Sequence, residues 1–225
     1  MSARIEGFDQ LAPVYRWLEW LAFGSDLEAA RLCHVDHLRG RRRVLVLGEG
    51  DGRFLVQLVR RFPCLNVDCV DASPGMLTMA KGRLTPAERG RVTFRNEDAL
   101  LADFGVGAYD AVVTLFFLDC FTAEEVAGLI VRVQIALRED ACWLFTDFTL
   151  PPRGWRRWRA EIWLCSLYLF FRWRTEMTAL KLPPMERLLR EAGFELLAEA
   201  SFQAGLVRST VFDRHCRNPN SPTRG

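Results

Sequence analysis

The sequence lacks the features of a membrane-spanning chain, a secreted disulfide scaffold and a nucleic-acid-binding protein. Its longest charge-free apolar run is ten residues, Ile162–Phe171, whereas a bilayer helix needs about 20. The seven cysteines are odd in number and form no CxxC pair, which fits a reducing compartment such as the cytoplasm. The formal net charge of +2 provides no whole-molecule field for nucleic acid. We therefore expect a cytoplasmic protein without a nucleic-acid partner.

Histidine is scarce as well, with three residues in the chain. The segment Cys33-His34-x-x-His37 contains potential metal ligands, but no second ligand cluster follows it. A bound ion needs about three or four protein ligands. We therefore expect no metal site and interpret this segment as a helix surface.

What the sequence does contain is an alternation of short β-rich runs with segments of helical period, the pattern of a parallel sheet with crossover helices. Half of its residues are hydrophobic, which is enough for a substantial core. The pattern predicts an α/β fold with a Rossmann-like, doubly wound, mostly parallel seven-stranded sheet and an antiparallel closing hairpin. The predicted strands are Arg43–Leu47, Asn66–Asp71, Val92–Phe94, Tyr109–Leu115, Ala141–Phe148, Phe194–Phe202 and Leu206–Phe212.

A glycine-rich loop, Gly48-Glu49-Gly50-Asp51-Gly52, follows the first predicted strand and precedes a predicted helix. Glycines there let the backbone approach a ligand closely and direct a helix N-terminus at polar groups. The dinucleotide-binding fingerprint would need glycine or alanine at position 53, which is Arg53. The loop therefore indicates a nucleotide-like ligand of another kind, with a purely structural tight turn as the alternative.

Acidic residues end the next two predicted strands. Asp71 lies about twenty residues after the loop, where a carboxylate accepts hydrogen bonds from ribose hydroxyls; the alternative is a helix-capping or solvated carboxylate. Asn96-Glu97-Asp98-Ala99 follows the third strand, where a carboxylate could accept a hydrogen bond from an adenine amino group.

In motif order and spacing these segments resemble the class I S-adenosylmethionine-dependent methyltransferases, of the small-molecule type with a methyltransferase type 11/25-like domain. The segments that carry the resemblance are 44–55, 70–77, 96–99 and the fourth strand Tyr109-Asp-Ala-Val-Val-Thr. The resemblance implies S-adenosylmethionine as the cofactor. It also implies these cofactor-binding residues: Gly48, Glu49, Gly50, Asp51 and Gly52 at the methionyl part, Asp71 and Ala72 at the ribose, Ser73, Met76, Asp98 and Ala99 around the adenine, and Thr114 and Leu115 beneath the methionine chain.

One position departs from the family pattern. The family has an acidic residue two places before the first loop glycine, where it helps to hold the methionine ammonium, and this chain has Val46. The resemblance therefore assigns that role to Glu49 or Asp51. It further implies a single domain over residues 1–216, with an N-terminal helical cap over 1–40 and an aromatic helical insertion or lid over 151–192. The polar residues 217–225 are expected to form a disordered tail.

The acceptor is expected to bind beyond the fourth and fifth strands, because ligands occupy the carboxyl ends of such sheets. Enzymes that methylate exocyclic base nitrogens carry Asn/Asp-Pro-Pro-Tyr after the fourth strand, and this chain has Phe116-Phe117-Leu118-Asp119. Methylation of nucleic-acid bases is therefore not expected. A small, apolar acceptor is predicted instead, in keeping with the aromatic segment Trp155–Trp173. The polar candidates for catalysis are Asp119, Asp147 and Tyr15, with a helix-start carboxylate as the structural alternative for Asp119.

The segment Trp155–Trp173 contains four of the seven tryptophans. Aromatic residues with basic ends suit a peripheral membrane contact, a lid over a lipophilic acceptor, or core packing. Two rival functions stay open at this point. One is an inactive, methyltransferase-like membrane-surface or interaction protein. The other is an NAD(P)-dependent oxidoreductase, which Arg53 and the closing hairpin disfavour.

Overall fold

The computed structural model describes residues 26–149 and 184–214. Tyr15, most of the predicted insertion, the first part of the predicted cap and the tail lie outside the described residues. The strands within these ranges are β1 (Arg43–Leu47), β2 (Asn66–Asp71), β3 (Val92–Asn96), β4 (Tyr109–Leu115), β5 (Leu137–Phe148), β6 (Glu195–Phe202) and β7 (Val207–Asp213). The α-helices are α1 (Asp26–Leu32), α2 (Arg53–Arg61), α3 (Pro74–Arg83), α4 (Pro86–Arg89), α5 (Ala123–Ala136) and α6 (Met185–Glu191).

The strands form one seven-stranded sheet in the order β3-β2-β1-β4-β5-β7-β6. Strands β1 to β5 pair in parallel, and β7 pairs antiparallel with both β5 and β6. This confirms the predicted doubly wound sheet with a closing hairpin. From the boundary between β1 and β4, the strand order runs outward in both directions, through β2 to β3 on one side and through β5 to the hairpin on the other. Ligands of such sheets bind at the carboxyl ends of the strands beside this switch point.

Strand β1 is buried on both faces, as its continuous apolar run predicts. Val44 and Val46 lie in one apolar cluster, with residues of α2 and α3. Leu45 and Leu47 point the other way, into a second cluster with residues of α5 and α6. The two clusters fix β1 from both sides, so the loop that follows it starts from a rigid position.

Three helices begin near the edge where the parallel strands end, and their first residues follow the sequence signals. Gly52 precedes α2 with a left-handed φ of 86°. The Ser73 hydroxyl caps α3 by accepting the backbone N–H of Met76 at 3.1 Å. Thr122 and Glu125 form a capping box at the start of α5. These helix starts border the candidate site.

Strand β5 begins earlier than predicted. It starts at Leu137, directly after α5, and its first residues Arg138, Glu139 and Asp140 are exposed. Because these three charged residues do not alternate with apolar residues, the sequence pattern predicts the strand only from Ala141 onward. Among the described residues no helix has the length and apolar character to cross a membrane.

Candidate active site

The glycine loop between β1 and α2 has two kinds of glycine. A Cβ added at Gly48 would lie 2.0 Å from the Phe117 ring, and one at Gly52 would lie 2.5 Å from the Ala80 Cα. A Cβ added at Gly50, where φ is 70°, would meet no protein atom within 4 Å. Packing therefore requires the outer glycines, whereas Gly50 presents bare backbone to open space. A ligand that approaches the backbone closely fits there.

Asp71 ties the glycine loop to the end of β2. Its Oδ2 accepts the backbone N–H of Gly50 at 3.1 Å, and its Oδ1 accepts that of Ser73 at 2.9 Å. The Asn96 amide donates to the carbonyl oxygens of Asp71 and Ala72 at 3.1 and 2.9 Å. The ends of β1, β2 and β3 are thus held together around one carboxylate.

The other two acidic residues of the loop have different surroundings. Asp51 forms ion pairs with Arg53 at 2.9 Å and with Arg83 at 2.8 Å. Glu49 accepts the backbone N–H of Leu55 at 2.8 Å, and burial raises the pKa of its carboxyl to about 8. Asp51 therefore joins α2 to α3, whereas Glu49 lies at the first turn of α2.

The remaining sequence-predicted cofactor residues border the same edge with different exposure. Asp98 is half-buried and accepts the Leu100 N–H at 2.8 Å, while Ala99 beside it is buried. Thr114 is fully buried, and its hydroxyl accepts the indole N–H of Trp143 at 2.9 Å. The side chain of Thr114 thus faces the core, and Leu115 continues the strand toward the site.

Two of the predicted catalytic residues lie together beyond β4 and β5. The backbone N–H of Asp119 donates to Asp147 Oδ2 at 3.1 Å, and that of Phe148 donates to Asp147 Oδ1 at 2.9 Å. The two side chains also interact directly, and both residues are at least 92% buried, with relative exposures of 8% and 2%. Burial raises the pKa of Asp119 to about 6, and burial with the neighbouring Asp119 charge raises the pKa of Asp147 well above its usual value. We call Asp119 and Asp147 the acidic pair.

Asp119 is not at the start of α5. It lies in a single 3-10 turn, Leu118–Cys120, and Thr122 caps the helix that follows. The Cys120 thiol donates to Asp119 Oδ1 at 3.6 Å. The carboxyl group is therefore directed at Asp147 and its own turn rather than serving as the cap of α5.

Four aromatic side chains lie within three residues of the acidic pair along the chain and form two ring pairs. The rings of Phe116 and Phe148 lie 5.1 Å apart, and those of Phe117 and Phe121 lie 5.0 Å apart. We call these four residues the aromatic wall. Phe116 has a φ of 54°, a strained conformation for a bulky residue, and strain of this kind clusters at functional sites.

Sequence reasoning singled out the stretch after β4 and the segment that begins at Asn96, but it missed Phe148 and Arg31. The Arg31 guanidinium lies 5.0 Å from the centre of the Phe116 ring. The position of Phe148 at the end of β5 could have identified it as a site residue. The parallel neighbours β4 and β5 end at the same edge of the sheet, so residues at their carboxyl ends lie close together. No local signal identifies Arg31, which reaches the site from α1.

Comparison with known proteins decides the family. A family model described as a methyltransferase domain matches residues 44–140, the part that contains the glycine loop, Asp71 and β4. The chain is 33% identical over 150 residues to a demethylmenaquinone methyltransferase of Thermus thermophilus, covering 65% of this chain and 66% of that protein. The chain belongs to the class I S-adenosylmethionine-dependent methyltransferases.

A second relative of this class I chain is a magnesium-protoporphyrin O-methyltransferase of Rhodobacter capsulatus, 30% identical over 69% of this chain and 63% of that protein. The matches thus span about two thirds of the length of both curated relatives. A solved 1,6-didemethyltoxoflavin-N1-methyltransferase from Burkholderia thailandensis, with bound S-adenosylhomocysteine, superposes with a TM-score of 0.67 at 17% identity, over 95% of this chain and 88% of that one. This structural likeness establishes the fold.

The cofactor of this class I methyltransferase chain is S-adenosylmethionine. The residues present fit it: Gly50 leaves open space against bare backbone, and Asp71 stands at the strand end beside that space. The rival oxidoreductase is not favoured by these comparisons.

Gly50→Ala is expected to weaken binding of S-adenosylhomocysteine at least about tenfold, because the new methyl group would fill the open space at the loop backbone. Gly40→Ala is the matched control. Gly40 also has a left-handed φ, of 80°, and open surroundings, but it precedes β1 at the far end of that strand. Both variants should lose about 1–2 kcal/mol of stability from the strained φ. Titration calorimetry and thermal melts measure the two effects, and equal cofactor affinities in the two variants would reduce Gly50 to a turn residue.

Proposed function

We propose that the protein transfers the methyl group of S-adenosylmethionine to a small, planar, largely apolar molecule that binds against the aromatic wall. The observation that supports the proposal is the contact between Phe117 and Gly48, because it brings one ring of the wall against the cofactor loop. The acidic pair lies at the same edge, where it can exchange a proton with an acceptor.

The chain's own residues would act mainly by positioning and by excluding water. When bound, the cofactor supplies an electrophilic sulfonium methyl group and a neutral leaving group. The wall would hold a flat acceptor by ring stacking, which is favourable at centroid separations of about 4.5–7 Å. The ionised carboxylate of Asp119 would accept the proton that the acceptor loses as its nucleophilic atom attacks the methyl carbon.

The similarity to known proteins supports the acceptor class. The two curated relatives carry the names of enzymes acting on demethylmenaquinone and on magnesium-protoporphyrin. Both compounds contain flat, conjugated ring systems of low polarity, as the aromatic wall would favour. A peripheral membrane contact through Trp155–Trp173 stays a prediction, because that segment lies outside the described residues.

A methyl-transfer screen tests the proposal. With radiolabelled cofactor, we expect label in a planar hydroquinone, a phenolic polycycle or a porphyrin carboxylate, and none in an oligonucleotide or a small hydrophilic amine. Phe148→Ala should raise the KM for the accepted compound at least about tenfold, since a buried ring is lost from the wall, without changing the Kd of S-adenosylhomocysteine. Methylation of the hydrophilic amine alone would contradict the acceptor class. Binding of S-adenosylhomocysteine without transfer to any planar compound would favour the inactive, interaction-type alternative.

A further inference from the structure

The family's usual ammonium-binding position is apolar in this chain. Val46 is 1% exposed and packs in the same cluster as Leu55 of α2. No charge can be provided from that position, so a cationic group of the cofactor needs its counter-charge from elsewhere around the loop.

The structure distinguishes between the two loop carboxylates. Asp51 is neutralised by the two arginines Arg53 and Arg83. Glu49 instead directs its carboxyl to the N–H of Leu55, at the start of a helix whose N-cap, Gly52, offers no side chain. Val46 and Leu55 belong to the same apolar cluster, so the Glu49 carboxyl, which accepts the Leu55 N–H, lies at the end of the helix that packs on the Val46 face of β1.

The charged and titratable groups around Glu49 come from every neighbouring element. Arg31 of α1 lowers its pKa, whereas Asp51 of the loop and Asp71 of β2 raise it. Cys69 of β2 is also close, and burial keeps its thiol protonated by raising its pKa well above the usual value. Because Asp51 is already paired with Arg53 and Arg83, an ionised Glu49 and Asp71 share one further guanidinium, that of Arg31. The excess of negative charge favours an added cation.

We propose that Glu49 is the carboxylate that pairs with the ammonium group at the amino-acid end of the cofactor, and that Glu49 releases a proton when the cofactor binds. The inference rests on the proposed function, methyl transfer from S-adenosylmethionine. A carboxyl with a pKa of about 8 is mostly protonated at pH 7 in the cofactor-free protein. A cation in contact with it lowers that pKa, so the bound state is ionised. Affinity for the cofactor should accordingly rise with pH as Glu49 ionises.

Proton-linkage calorimetry tests this proposal. Binding of S-adenosylhomocysteine at pH 7 is measured in phosphate and in Tris, whose ionisation enthalpies differ, and the difference in heat counts the protons released. The wild-type protein should release up to about 0.9 proton per site, the protonated fraction for a pKa of about 8. Glu49→Gln should release almost none and bind about 10- to 100-fold more weakly. Its amide oxygen can still accept the Leu55 N–H, so the melting temperature should be nearly unchanged.

Glu88→Gln is the matched control, because Glu88 also caps a helix, by accepting the Thr85 N–H at 2.8 Å, but lies away from the loop. It should keep the wild-type proton release. As a second arm, the wild-type protein is titrated with 5′-methylthioadenosine, which retains the nucleoside and sulfur but lacks the ammonium group, and no proton should be released. Three outcomes would overturn the role of Glu49 while leaving cofactor binding intact. They are proton release with both S-adenosylhomocysteine and 5′-methylthioadenosine, proton release with neither ligand, and undiminished proton release in Glu49→Gln. Failure of the wild-type protein to bind S-adenosylhomocysteine would instead overturn the proposed function itself.

Discussion

Asp119→Asn is expected to lower the kcat of methyl transfer by about 10²- to 10⁴-fold, the usual contribution of a positioned proton acceptor. The wild-type kcat/KM should fall below about pH 6, because burial places the pKa of Asp119 near that value. In Asp119→Asn this acid limb should disappear from the pH profile. The measurement is a pH–rate series with the acceptor identified in the methyl-transfer screen.

Stability measurements separate this catalytic role from a structural one. A carboxyl whose pKa is raised in the folded protein stabilises the fold below its unfolded pKa, and that contribution is lost as the pH rises through the folded value. For Asp119 this window runs from about pH 4 to about pH 6. Above it, the buried charge is a cost, so Asp119→Asn should melt at the wild-type temperature or higher at pH 7.5.

The matched control for this variant is Asp103→Asn. Asp103 is an exposed carboxylate that accepts a neighbouring N–H, that of Gly105, at 2.8 Å. Asp103→Asn should retain full activity, and its kcat/KM should still fall below about pH 6. A fully active Asp119→Asn variant, or one whose activity falls only in step with its melting temperature, would remove the acidic pair from the mechanism.

Asp71→Ala should weaken binding of S-adenosylhomocysteine by about 1.5–3 kcal/mol, or roughly 10- to 150-fold, the scale of hydrogen bonds to a charged group. Part of that loss is indirect, because the same carboxylate holds the N–H groups of Gly50 and Ser73. Calorimetry gives the affinity, and denaturant unfolding gives the stability of the same variant.

Asp110→Ala provides the comparison for Asp71→Ala. Asp110 likewise accepts two backbone N–H groups, from Arg42 and Arg43 at 2.7 and 2.9 Å, but at the opposite edge of the sheet. It should lower the free energy of unfolding by a comparable amount and leave cofactor affinity unchanged. If the two variants lose the same affinity, the loss in Asp71→Ala comes from general destabilisation and not from a contact between Asp71 and the cofactor.

The positions of the strands along the chain and the start of each bordering helix follow from local sequence, because continuous apolar runs, Ser73-Pro74 and the Thr122 capping box each act over a few residues. The contact between Asp71 and the glycine loop was also predictable, since both follow neighbouring parallel strands. The different partners of Glu49 and Asp51 were not, because Arg83, which lies 32 residues from Asp51, decides which carboxylate is neutralised.

The acidic pair required the structure for a similar reason. Asp119 and Asp147 are 28 residues apart in the chain, and their meeting depends on the register of β4 with β5 and on the 3-10 turn after β4. Sequence pattern predicted each residue as a candidate. The burial that raises both pKa values, and the Asp119 charge that further raises the pKa of Asp147, depend on tertiary contacts.

The packing of Phe117 on Gly48 has a consequence for evolution and for enzyme redesign. Because any side chain at position 48 would collide with the ring, the two positions must change together, and a homologue with a larger residue at 48 needs a smaller one at 117. Trimming Phe117 to admit bulkier acceptors would also uncover the cofactor loop, so acceptor range and cofactor affinity cannot be tuned separately there. Phe148, which packs on Phe116, is the better starting point for widening the acceptor range.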